Sequence, residues 1–156
     1  MTIGADGVRG YSNIPSARIS GAESSLNYQF ANRHFTLNNT LKWVRGRDNA
    51  GNPLPLISPL KSITGLRYNH EKLFIQAESE ISSGQNRVST AFGEKTSPGF
   101  SIFNLRSSYT FNMAKYNLEF SAGIENILDE AYYEHLDWGK MLRPGRNVYS
   151  MLSLKF

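Results

Sequence analysis

The chain has 156 residues, a formal net charge of +4, no cysteine and a mean hydropathy of −0.41. These totals exclude disulfides and thiolate metal sites, and no apolar run approaches the ~18 residues of a transmembrane helix. Its 17 basic residues are scattered, without a basic run interleaved with aromatics, so nucleic-acid binding has no support.

In chain order, residues 1–7 carry neither a basic n-region nor an apolar h-region, so no signal peptide is expected there. Residues 2–12 are expected as a strand. Residues 17–30 follow, with Leu26, Tyr28 and Phe30 on one face. Phe35, Leu37, Leu41 and Trp43 alternate with Thr36, Asn38, Thr40 and Lys42, which is the period of a half-buried strand. Residues 59–69 form a similar strand marked by Leu66 and Tyr68. Leu73, Ile75, Ala77 and Ile81 then alternate with polar partners, as do Phe103, Leu105, Tyr109 and Phe111, and Tyr116, Leu118, Phe120, Ala122 and Ile124. The last strand sets Val148, Leu152, Leu154 and Phe156 on one face and ends on an aromatic residue. No segment has a helical period; a single helical turn is expected at residues 127–131.

Connections alternate in length. Residues 31–34, 69–71 and 112–115 are tight turns, while 46–59, 83–99 and 127–146 are long. Outer-membrane barrels segregate their loops in this way, short on the periplasmic side and long on the extracellular side. Strands of about nine to eleven residues at a tilt of ~45° cross the hydrocarbon core. Aromatic residues at 12% suffice for girdles at both interfaces. Lys42, Gln76, Glu78, Glu80, Arg106, Glu119 and Glu125 would then line the lumen. Periodicity alone is equally satisfied by a soluble β-sandwich, here of carbohydrate-binding type, or by a complete eight-stranded barrel. The loop segregation and the terminal Phe156 favour an antiparallel, up-and-down transmembrane β-barrel wall of about eight strands.

Residues 123–135, Gly-Ile-Glu-Asn-Ile-Leu-Asp-Glu-Ala-Tyr-Tyr-Glu-His, resemble the Glu-Asn-Leu-Phe-Asp stretch near the end of TonB-dependent receptors. Pro144-Gly145-Arg146 before a strand ending in Phe156 resembles the rest of that signature. Tyr11-Ser12-Asn13-Ile14 with Ala17 and Gly21-Ala22-Glu23, and the proline-containing 53–59, resemble upstream family segments. Leu128 departs from the family's aromatic residue. The resemblance implies a 22-stranded barrel around a plug, of which residues 1–156 would be the carboxyl-terminal part. It implies TonB-dependent uptake of a scarce nutrient, most often a ferric siderophore, in the outer membrane of a Gram-negative bacterium. The implied partners are outer-membrane lipid, the remaining barrel and plug, TonB, the nutrient and the barrel-assembly machinery, with Phe156 as the assembly signal.

The expected roles of the motif residues are mostly structural. Glu125 and Asn126 stop a strand by bonding to loop backbone, and Pro144, Gly145 and Arg146 start the last strand. His135, with Tyr132 and Tyr133 beside it, is the candidate ligand contact, since a loop histidine can bind metal or haem. His34 and His70 fall in short turns on the other side. No His, Cys or carboxylate group has metal-site spacing. Glu78 and Glu80 share a strand face as lumen residues would, and no nucleophile elbow or phosphate loop accompanies them. Neither a catalytic activity nor a cofactor is expected.

Overall fold

The computed structural model describes residues 2–3, 9–10 and 16–156. Strands β1 (Thr2–Ile3) and β2 (Arg9–Gly10) pair antiparallel as a small separate ladder. The strand expected over 2–12 is therefore not a member of the main sheet where it is described; its remaining residues, and the Tyr11–Ile14 motif, lie outside the described residues. The main sheet contains β3 (Ala17–Phe30), β4 (Phe35–Asp48), β5 (Lys61–His70), β6 (Leu73–Ser82), β7 (Phe100–Asn112), β8 (Asn117–Glu125) and β9 (Asn147–Lys155). They pair in sequence order, each antiparallel to the next, and β3 and β9 are the open edges. Seven strands thus form the wall where about eight were expected. Among the described residues the fold is all-β apart from two three-residue 3-10 helices, Thr90–Phe92 and Trp138–Lys140.

The register carries one apolar face across all seven strands. Tyr28 opposes Leu37, Leu37 opposes Leu66, Leu66 opposes Ala77, Ala77 opposes Leu105, Leu105 opposes Ile124 and Ile124 opposes Val148. Because side chains alternate with period 2, the other positions put Lys42, Gln76, Glu78, Glu80, Arg106, Glu119 and Glu125 together on the polar face. Large apolar side chains stand exposed along the first face, among them Leu26, Leu41, Trp43, Leu105, Phe111, Phe120 and Leu152. The buried apolar residues among those described are Leu54, Phe100 and Ile102, all at the long-loop end. A sandwich would cover the apolar face with a second sheet; among the described residues nothing covers it. At the short-turn end, Tyr28, Phe30 and Phe35 stack in succession and Tyr68 tilts against Phe35, with ring centroids 5.9, 5.3 and 4.9 Å apart, as in an interfacial girdle.

The connections keep their two lengths, with two differences from expectation. β4 runs to Asp48, since the ladder to β3 holds residues 44–48 in register beyond the end of their apolar alternation. The helical turn expected at 127–131 does not form. Asn126 and Asp129 have φ of 49° and 58°, in the left-handed region, and the Asp129 amide donates to the Asn126 carbonyl at 2.9 Å to close a tight turn instead.

Candidate functional site

The three long loops meet at one carboxylate. Glu94, in the 83–99 loop, accepts from the Leu56 amide of the first long loop at 3.0 Å and from the Ser89 amide at 2.9 Å. Its Oε1 also lies 3.0 Å from Nε2 of His135, in the third long loop. On the other side of the imidazole, Nδ1 is 2.9 Å from the Ser97 hydroxyl. The His135 side chain is 1% exposed and that of Glu94 8%, so the pair is sealed from solvent. Gln85 adds a second tie, donating from Nε2 to the Ile57 carbonyl at 2.9 Å. Both ring nitrogens of His135 are thus occupied by protein groups.

Tyr132 lies against Phe100 at the start of β7, with centroids 4.7 Å apart. Burial there, and then the nearby Glu80 carboxylate, hold its phenol above the ordinary tyrosine value. Tyr133 carries the Lys140 ammonium 5.7 Å from its ring centroid. The Lys140 ammonium also donates to the His135 carbonyl. Below this loop Lys61 pairs with Glu80 of the wall at 2.6 Å and with Glu134 of the loop at 2.5 Å. Arg143 grips Asp137 with two bonds of 2.8 and 2.7 Å, which hold that carboxyl below the usual range. Lys42, Lys61, Glu134, Leu136, Asp137 and Arg143 thereby border a cavity of about 400 Å³ at the mouth of the polar face.

The signature residues 125–146 close the base of the third loop. Asn126, 3% exposed, takes the Glu130 amide on Oδ1 at 2.9 Å and donates from Nδ2 to the Glu130 carbonyl at 2.9 Å and the Pro144 carbonyl at 3.4 Å. Its own amide donates to Asn104 of β7 at 2.9 Å. Asp129 takes the Arg146 amide at 2.8 Å, and the Arg146 guanidinium donates to the Ile127 carbonyl at 2.9 Å. A Cβ at Gly145 would come within 2.6 Å of the Asp129 carboxylate, so glycine is what permits that approach. Glu125 reaches Asn147 at the start of β9 at 3.4 Å. Phe156 projects from the end of β9, fully exposed.

The family model described as TonB dependent receptor-like, beta-barrel matches residues 2–127. The chain belongs to the TonB-dependent receptor β-barrel family. No curated protein sequence matches it. Among solved structures it is similar to the copper transporter OprC, at 25% identity and a TM-score of 0.76, and to the ferric citrate transporter FecA in its unliganded form, at 23% and 0.71. Each match covers 90% of this chain and 24% of the other, so the chain spans about a quarter of the length of these two solved structures. In such a barrel wall the apolar face is outermost and the polar face lines the lumen.

Of the residues singled out in the sequence, the structure brings Asn126, Pro144 and Arg146 together with Asp129. It sets Tyr132 against Phe100 at the long-loop end of the polar face, Tyr133 against Lys140, and His135 inside the loop clasp. His34 and His70 pack against each other at the short-turn end, with centroids 4.8 Å apart. Glu94, Ser97 and the pairing of Lys61 with Glu134 were not visible in the sequence. Glu94 is a single carboxylate in a Gly- and Ser-rich loop, and its partners in the other two loops lie 38 and 41 positions away. No local pattern marks such a residue. Among the described residues no group of three metal-binding side chains converges.

Proposed function

We propose that this chain is the carboxyl-terminal part of the barrel of a TonB-dependent receptor in the outer membrane of a Gram-negative bacterium. The parent takes up a scarce nutrient, most often as a ferric siderophore, with energy relayed by TonB to its plug. This chain supplies wall, three extracellular loops and, in Phe156, the end that the barrel-assembly machinery recognises. It does no chemistry. The observation that carries the reading is the clasp. Three long loops on one side are tied together by Glu94, His135 and Gln85 over a charged cavity, above a wall whose opposite rim carries the aromatic girdle. The similar solved structures are named for copper and for ferric citrate, which supports a metal or its chelate as cargo. Tyr132 and Tyr133 are the candidate cargo contacts; His135 serves by positioning the loop that carries them.

The test is titration of the full receptor chain, in detergent, with cupric ion, ferric citrate and a catecholate and a hydroxamate ferric siderophore. One cargo class is expected to bind, with affinity falling by about tenfold or more in Y132A/Y133A. That is the scale of losing one or two contacts of about 1 kcal/mol each. Absence of binding by all four, or unchanged binding in the variant, would overturn the assignment of cargo and loop respectively.

A further inference from the structure

On the polar face every strand cation is partnered: Arg67 donates twice to the Gln76 side-chain carbonyl at 3.2 and 3.0 Å, and the others meet carboxylates. Lys42 pairs with Glu23, Lys61 with Glu80 and Glu134, Arg106 with Glu78 and Lys155 with Glu119. The outer face differs. Across the seven strands its charged side chains are Arg18, Arg45 and Arg47, and they are neighbours: Arg18 opposes Arg47, and Ser20 opposes Arg45. Among the described residues no carboxylate pairs with any of the three. The adjacent Asp48 belongs to the other face and is engaged by Asn52 at 2.8 and 3.0 Å. Directly opposed residues have Cβ atoms about 4.5–5.5 Å apart, where like charges destabilise a sheet. Together with Ser20 and Trp43 the arginines line a depression of about 360 Å³.

Height along the wall says what fills it. With a rise of about 3.3 Å per residue and a tilt near 45°, Arg45 stands about 23 Å above Phe35 along the membrane normal. By the same reckoning Arg47 is about 28 Å above Phe35, and Arg18 about 28 Å above Phe30. The apolar band of an outer-membrane barrel is about 25 Å tall. Arg18 and Arg47 therefore emerge in the headgroup layer on the long-loop side, Arg45 stands at its inner edge, and Trp43, about 19 Å above Phe35, lies just beneath. Guanidinium forks match phosphate oxygens bidentately.

We propose that Arg18, Arg45 and Arg47 form a site for the phosphate groups of an anionic lipid headgroup in the outer leaflet, with Trp43 lying at the level where the acyl chains begin. The proposal rests on the membrane reading above. The bound phosphate turns three repelling charges into a bridge between β3 and β4 and fixes the depth of the wall.

The experiment uses the full receptor chain, as wild type, as R18Q/R45Q/R47Q, and as R33Q/K72Q/K115Q, which removes the same charge from the short-turn rim. Each is reconstituted in phosphatidylcholine nanodiscs containing about one-tenth diphosphoryl lipid A or its dephosphorylated form, and retained glycolipid is counted by native mass spectrometry. Wild type and the short-turn variant should retain the phosphorylated lipid. The long-loop variant should retain it about tenfold less or worse, at about a decade or less per guanidinium lost, and the dephosphorylated lipid should not be retained. Inorganic phosphate should fail to displace the lipid. Equal retention by the two variants overturns the site, and displacement by inorganic phosphate assigns it to the free ion instead. Failure of wild type to insert into either nanodisc overturns the membrane reading itself.

Discussion

Replacing Asn126 tests whether the signature at the end of β8 is a loop lock. Its side chain makes two well-formed bonds to Glu130 and a longer one to Pro144, in a site closed to solvent. Each good bond contributes about 1 kcal/mol net, so Asn126→Ala loses about 2 kcal/mol from these. The backbone adds to this: at φ 49° asparagine is tolerated, whereas alanine costs about 1 kcal/mol more. The total is about 3 kcal/mol for Asn126→Ala. Asn126→Gly, free of the backbone cost, should lose about 2 kcal/mol. The assay is hydrogen exchange in the membrane-inserted receptor, read at the Glu130 amide. Protection there should fall roughly a hundredfold in the alanine variant and distinctly less in the glycine variant. If both variants exchange like wild type while cargo binding disappears, Asn126 is a cargo contact and the lock reasoning is wrong.

His135→Ala strips a partner from the buried Glu94 and Ser97, at a cost of about 2–3 kcal/mol; proteolysis of the inserted receptor should then cut both the 83–99 and 127–146 loops faster, and cutting of only one would refute the clasp. Gly123→Ala puts a Cβ 2.5 Å from the Tyr149 ring on the neighbouring strand, so urea unfolding should show a loss of about 1–3 kcal/mol that vanishes in a Tyr149→Ala background. The Asp137–Arg143 pair gives a pH dependence. Because hydrogen bonding to Arg143 depresses the Asp137 carboxyl, its contribution is complete above about pH 4, the unfolded value. It is lost as pH falls through the lower folded value. Protease nicking of residues 134–143 should set in on acidification below that point, and Arg143→Gln should move the onset to higher pH.

The wall was legible in the sequence because its signal is strictly local. A lipid-facing strand favours apolar side chains at alternate positions, and Phe103, Leu105, Tyr109 and Phe111 declare their face without reference to any neighbour, Ser107 being the gap among them. The signature residues were legible for a different reason: Asn126, Pro144 and Arg146 act on backbone within about 20 positions of one another. The clasp obeys neither condition. Glu94 meets Leu56 and His135 only because antiparallel pairing returns each long loop to the same rim. The reach of β4 to Asp48 was hidden likewise, since residues 44–48 are held by register with β3 rather than by alternation. Arg45 and Arg47 look like loop cations until that register sets them on the outer face opposite Ser20 and Arg18.

Seven strands also bear on closure. In an up-and-down sheet strand direction alternates, so β3 and β9 run the same way and could meet only as a parallel pair. Geometry opposes closure too. Seven strands about 4.8 Å apart at 45° give a perimeter near 47 Å and a backbone diameter near 15 Å. Side chains of about 5 Å from each side would leave about 5 Å. That is too narrow for the loop carrying Tyr132 and Glu134, which packs on Phe100 and Lys61 of the polar face. The edges of β3 and β9 therefore call for strands other than these seven, and bare edges recruit other chains. The double substitution Ser20→Cys with Ser150→Cys provides the check. Each of these serines lies on the outer face, near the long-loop end of its edge strand. Refolded into detergent alone, residues 1–156 should form intermolecular disulfides between edges, with intramolecular ones absent. A monomer with an intramolecular disulfide joining positions 20 and 150 would mean that the sheet closes on itself, and would refute the argument from strand parity and lumen width together.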